Sequence, residues 1–296
     1  MNILILGASG MLGHKVWQVF AEQFDAYVAV RRGFNYYARY ELFDQARTID
    51  CVCVQDFDSI MRAIVMVRPH VVVNCIGIVK QATAAQDPLI SISVNALFPH
   101  RLARLCQAAG IRLIHISTDC VFSGRKGNYL ENDVADAEDL YGRTKLLGEL
   151  HYDGSLTLRT SMIGRELETT HGLIEWFLGQ EGKTIKGYKR AIFSGFTTQA
   201  LAEIIAKIVI EHQDLQGIWH VASEPISKFD LLSLVKKAYG MNIQIEPDNE
   251  VVCDRSLNAD RFKRATGYIP PSWSDMIEQM YNDSTPYDEL RRSYAH

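Results

Sequence analysis

Residues 2–6 (Asn-Ile-Leu-Ile-Leu) form an unbroken apolar run that stops at Gly7, and glycines recur at 10 and 13 just before apolar residues take up helical spacing. A short run that is apolar throughout reads as a strand buried on both faces. With a helix over 12–24 (Val16, Val19 and Phe20 on one face) and a second run over 26–30, it makes a βαβ unit, and such a crossover commits the chain to a parallel sheet. The pattern repeats. Strands are expected at 49–54, 71–75, 113–117, 156–159 and 217–221, with helices at 59–67 (ended by Pro69), 97–109 (stopped by Gly110) and 200–211. The fold class is therefore α/β with a doubly wound parallel sheet, whose ligands meet the carboxyl ends of the strands. Gly7, Arg31, Asp56, Cys75 and Ser117 each fall just beyond an expected strand and should converge on one crevice. Residues 1–163 are read as the sheet domain, completed by about 195–223. Residues 164–296, with Pro270-Pro271 and Trp273, are read mainly as a smaller substrate-binding cap.

Composition narrows the function classes. The formal net charge of −4 gives no basic footprint for nucleic acid, and no apolar run approaches the ~18 residues of a membrane span. The apolar N-terminus reaches glycine too soon for a signal-peptide core. Six scattered cysteines (51, 53, 75, 106, 120 and 253) show no metal-like spacing and read as reduced thiols of a cytoplasmic protein. No metal site is expected, and a homodimer is left open.

Gly7, Gly10 and Gly13 follow a strand and open a helix. Free N–H groups at that helix N-terminus suit a dinucleotide pyrophosphate, and Gly7, Ser9, Gly10, Met11 and Leu12 are the expected cofactor contacts. After the second strand stand Arg31-Arg32, with no acid between Tyr27 and Phe34. An acid there would hold the ribose 2′-hydroxyl of NAD, whereas arginine suits the 2′-phosphate of NADP. NADP(H) is the expected cofactor, and NAD(H) stays open. Asp56-Phe57 either meets the adenine or begins a helix.

Ser117-Thr118-Asp119 is followed by Tyr141-Gly-Arg-Thr-Lys145. Four residues apart on a helix, Tyr141 and Lys145 share a face. There an ammonium can lower a phenol pKa and fit it for proton transfer. The spacing also arises between unrelated surface residues, so the preceding hydroxyls and glycines carry the inference.

Together the glycine loop, Asn74-Cys75-Ile76-Gly77, Ser117-Thr118-Asp119 and Tyr141-x-x-x-Lys145 resemble the extended short-chain dehydrogenase/reductase family, with its Rossmann-like sheet. Ser117-Thr-Asp-Cys-Val-Phe122-Ser-Gly124, Leu158-Arg-Thr-Ser161 and Gly217-Ile-Trp-His220 are most similar to its dTDP-4-dehydrorhamnose reductase branch. The order and separations match over about the first 165 residues, and the likeness weakens past Ser223.

The resemblance implies NADPH-dependent reduction of the 4-keto group of a nucleotide-linked 6-deoxy-4-keto sugar, a step of deoxysugar and cell-surface polysaccharide biosynthesis. Tyr141 would protonate the alkoxide, Thr118 would hydrogen-bond the ketone oxygen, and Lys145 would tune Tyr141 and hold the nicotinamide ribose. Ser117 and Cys75-Ile76-Gly77 would face the cofactor. Lys80, Gln81, Phe122 and Thr160 are candidate substrate contacts. Dehydratases of the family carry glutamate where this chain has Cys120, which disfavours dehydration. A nucleotide-sugar epimerase and a non-catalytic NADP-binding regulatory subunit are the alternatives. His115 and Asn95 are read as structural, and Trp176-Phe177 and Trp273 as packing in the cap.

Overall fold

The computed structural model describes residues 1–80 and 83–292. Its centre is a sheet of seven strands, six of which are β1 (Asn2–Leu6), β2 (Asp25–Ala29), β3 (Thr48–Ile49), β4 (Val71–Asn74), β5 (Arg112–Ile116) and β6 (Ser155–Arg159). The order is β3-β2-β1-β4-β5-β6, closed at the far edge by Gly217–His220, and every pairing is parallel. The chain reverses direction between β1 and β4, so the crevice for ligands opens above their carboxyl ends.

Burial explains the apolar runs. Ile3, Ile5, Val28 and Val73 face one core with Val16 and Phe20 of the helix Gly13–Gln23. Leu4, Leu6 and Val72 face a second core with Ile60, Phe98 and Leu102. Covered on both faces, these strands have no polar side to alternate with.

The third strand is much shorter than its apolar spacing suggested. Cys51 turns into the left-handed region (φ 53°), and the Cys53 N–H donates to the Ser59 hydroxyl at 2.9 Å rather than to β2. Residues 52–54 thus approach the following helix, Phe57–Val67.

The later chain contributes small sheets. Met162–Ile163 pairs with Phe196–Thr197; Ala191–Phe193 pairs with Ile226–Ser227 and Cys253–Asp254; Thr184–Tyr188 pairs with Gln244–Asp248. Among the described residues no helix is long and apolar enough to cross a membrane.

Candidate active site

The glycine loop is built by close approach. Gly7 adopts φ 78°, and a Cβ at Gly13 would lie 2.1 Å from the Gly7 carbonyl oxygen, so neither position tolerates a side chain. The helix that follows has no side-chain cap and no acid in its first turn, which leaves its N-terminus open to an anion. This arrangement fits a pyrophosphate. Leu12 sends its side chain into the core, so only its backbone faces the groove. Ile76 packs against Gly7, and Gly77 lies beside the Lys145 ammonium.

The helix Leu140–Leu147 is set by its contacts at both ends. Asp139 caps it, accepting from the Gly142 N–H at 2.8 Å and pairing with Lys80 at 2.6 Å. A Cβ at Gly142 would fall 2.3 Å from the Cys120 carbonyl oxygen, and one at Gly148 would fall 1.9 Å from that of Asn95. Asn95 lies in a π-helical stretch, Ile92–Leu97, and its amide clasps the Ile78 backbone through both N–H and C=O. Close backbone packing thereby brings Tyr141 beside Thr118 and Lys145 beneath the β4 and β5 ends.

A cleft of about 440 Å³ opens there, lined by Met11, Lys80, Ser117, Thr118, Tyr141 and Thr160 among the expected residues. Lys145 is buried and donates to the Ile116 carbonyl at 2.7 Å. Burial lowers its pKa to about 8, opposed by Glu149 and Cys75. Desolvation pushes the Tyr141 phenol above its ordinary value; Cys120, Asp119 and Asp139 add to this and Thr118 opposes it. The expected lowering of the phenol pKa by Lys145 is therefore corrected. In this arrangement the ammonium serves a backbone carbonyl, and Tyr141 holds its proton as an acid.

Desolvation pushes the Cys120 and Cys75 thiols up to about 12, which disfavours formation of their thiolates. The Ser117 hydroxyl donates to Glu149 at 2.7 Å, and Glu149 forms a buried two-pronged pair with Arg159 at 2.8 and 2.7 Å. Ser117 thus borders the cleft with its hydroxyl committed elsewhere.

Other expected contacts fall outside the cleft. Phe122 is corrected outright: the 3-10 turn Asp119–Val121 carries it inward, fully buried, to stack on Tyr129 at 4.1 Å. Asp56 is exposed and makes no side-chain cap, while Phe57 packs on Phe98 beneath Arg101. Arg31 and Arg32 are exposed beyond β2, with Arg32 against the Tyr36 ring. Gln81 lies outside the described residues. His115 is buried and bonded to Asn74, and Trp273 is buried against Phe193.

Ser161, from the segment 158–161, also borders the cleft, together with Glu166, Phe193, Lys228 and Arg255, four residues that sequence reasoning missed. They arrive through the small sheets and carry no local motif. Among the described residues no group of His, Cys, Asp and Glu is arranged to hold a metal ion.

The comparisons agree with this architecture. A family profile described as RmlD substrate binding domain matches residues 1–285, and the chain belongs to that family. It is 28% identical over 255 residues to methionine adenosyltransferase 2 subunit beta of Danio rerio, covering 81% of this chain and 74% of that protein. It is 23% identical, over an alignment of 307 residues, to dTDP-4-dehydrorhamnose reductase of Escherichia coli strain K12, covering 96% and 98%. A crystal structure of dTDP-4-dehydrorhamnose reductase from Bacillus anthracis in complex with NADP shares the fold, with a TM-score of 0.76 over 95% of this chain and 98% of that one, at 22% identity. The family likeness thus runs well past the residues whose motifs suggested it.

Proposed function

We propose that this chain is an NADPH-dependent reductase of the 4-keto group of a nucleotide-linked 6-deoxy-4-keto sugar, acting in deoxysugar and cell-surface polysaccharide biosynthesis. The observation that carries the reading is the meeting of Thr118 and Tyr141 on one cleft, next to a glycine loop whose helix N-terminus is open to an anion. Residues 1–163 with the strand at 217–220 would hold the cofactor, and 164–296 mainly the sugar nucleotide. NADP(H) would be held by Gly7, Ser9, Gly10, Met11 and Leu12 at its pyrophosphate and by Arg31 and Arg32 at its 2′-phosphate, with NAD(H) as the weaker partner. When bound, it supplies the hydride.

The remaining chemistry belongs to the chain. Thr118 holds the ketone oxygen, a contact worth most as negative charge grows there. Tyr141 gives that oxygen its proton, a transfer that runs downhill from a phenol to an alkoxide. Lys145, fixed on the Ile116 carbonyl, is within the same floor to meet the nicotinamide ribose.

The kinship with methionine adenosyltransferase 2 subunit beta favours a second reading, a dinucleotide-binding subunit that regulates another enzyme. NADPH consumption with a panel of dTDP-, UDP- and GDP-linked 4-keto sugars separates the two. Turnover that Tyr141→Phe lowers by about 10²–10⁴, with NADPH binding retained, supports the reductase. Binding of NADPH without turnover of any sugar supports the subunit.

A further inference from the structure

His14 lies in the first turn of the helix Gly13–Gln23, directly behind the glycine loop, and is fully buried. Its Nδ1 is 2.9 Å from the Gly10 carbonyl oxygen, and its Nε2 is 2.9 Å from the hydroxyl of Tyr287, far along the chain. That hydroxyl is in turn 2.7 Å from Oδ2 of Asp283. Asp283 also pairs with the Lys15 ammonium and accepts from the Thr285 hydroxyl at 2.9 Å. One line of polar contacts therefore runs from the glycine loop to the C-terminal segment.

This line is one proton short. The Gly10 oxygen only accepts, so Nδ1 carries the proton of a neutral imidazole and Nε2 is left as an acceptor. Asp283, facing an ammonium, is an acceptor too. The Tyr287 hydroxyl thus has one proton for an acceptor on either side. A further proton on Nε2 would satisfy all three contacts at once. Burial keeps it off and holds the imidazole at about 4; the Gly10 contact and Asp283 oppose this, and Lys15 adds to it.

The neighbouring charges are balanced. Arg165 lies 4.8 Å from the centre of the Tyr287 ring and is paired with Glu175 at 2.6 Å and Asp288 at 3.0 Å. The helix Thr198–Glu211 packs against that of His14. Among the described residues it adds the uncharged Thr198 and Gln199 to the cavity bounded by Lys15, Asp283 and Tyr287.

We propose that an anion at the glycine loop draws this further proton from solvent onto His14, so that the dinucleotide's pyrophosphate and the C-terminal segment 283–287 tighten together. The coupling rests on the dinucleotide reading above. A phosphate at the open N–H groups of the first turn favours positive charge on the ring just behind it. The imidazolium then donates to both Gly10 and Tyr287, and the tyrosine's own proton goes to Asp283. Tyr287 is a positioning residue, acting on the loop through His14. The helix that it begins, Tyr287–Arg292, also reaches the cleft wall, where Arg291 pairs with Glu175 at 2.7 Å and donates to the Glu166 carbonyl at 2.9 Å.

The test is calorimetric titration of NADP⁺, without sugar, in buffers of differing ionisation enthalpy at about pH 5.5 and about pH 7.5, below and above an ordinary imidazole pKa. Wild type is compared with His14→Gln, which keeps a donor for Gly10 but cannot titrate, and with Tyr287→Phe, which leaves an imidazolium without its acceptor. Protonation of the 2′-phosphate is common to all three and cancels. At the lower pH the wild type should take up roughly half a proton more than either variant and gain about threefold in affinity over the higher pH beyond what they gain. Thermal midpoints confirm folding. If the wild type binds NADP⁺ without taking up a proton, or if a folded variant takes up as much, the coupling is overturned while the cofactor reading stands. If the wild type does not bind NADP⁺ at either pH, the cofactor reading falls and takes the coupling with it.

Discussion

At the reaction end of the groove, Lys145 is only 5% exposed, and behind it the side chains of Arg159 and Glu149 are 5% and 2% exposed. At the proposed adenosine end, Arg31 and Arg32 stand in solvent, with Arg32 against the Tyr36 ring. The first set is held by backbone carbonyls, strand ends and glycine contacts that leave one arrangement. The second consists of long side chains at the surface, one of them lying against an aromatic ring. The difference bears on the proposed roles: a proton donor must meet one atom, whereas long exposed arginines can settle their forks around a phosphate once it arrives.

Three experiments sharpen or break that contrast. The largest effect is expected from Glu149→Ala, which leaves Arg159 charged and buried and frees the Ser117 hydroxyl; it should cost about 3–5 kcal/mol in urea unfolding. A loss below about 1 kcal/mol would mean that the two ends are held alike.

Next is Lys145→Met. In the fold Lys145 titrates at about 8 against 10.5 for an ordinary lysine, because burial disfavours the ammonium. Between those values the unfolded chain holds a proton that the folded chain has lost, so this residue's contribution to stability rises with pH across the window. The variant should lose that rise. Unfolding titrations at pH values below and above the window should show the wild type gaining on Lys145→Met; a constant gap refutes the buried, depressed lysine.

The smallest structural effect is expected from Arg31→Ala. Stability should stay within about 0.5 kcal/mol, while the preference for NADPH over NADH, read from Michaelis constants, falls several-fold. An unchanged preference removes Arg31 from cofactor recognition.

The sheet was legible because its signals are local. A strand covered on both faces must be apolar, and its end must turn, so Gly7, Cys75 and Ser117 could be assigned to one rim from their neighbours alone. Residues 49–54 misled for the same reason: Val52 and Val54 have strand spacing, but the positive φ of Cys51 and the bond from Cys53 to Ser59 are tertiary choices. Phe122 misled because a single 3-10 turn reverses which side of the chain it faces. Arg255 and Lys228 were invisible, since each reaches the cleft through strand pairings between segments far apart in sequence.

The contact between Gly148 and the π-helical Asn95 has a consequence for how such a site can change. The gap between those two helices is a spacer one hydrogen atom wide, and the helix bearing Tyr141 and Lys145 rests on it. Widening the spacer by a methyl group would shift Tyr141 against Thr118 without altering any residue that lines the cleft. The geometry of this cleft is thus adjustable from behind, at a residue with no chemistry of its own.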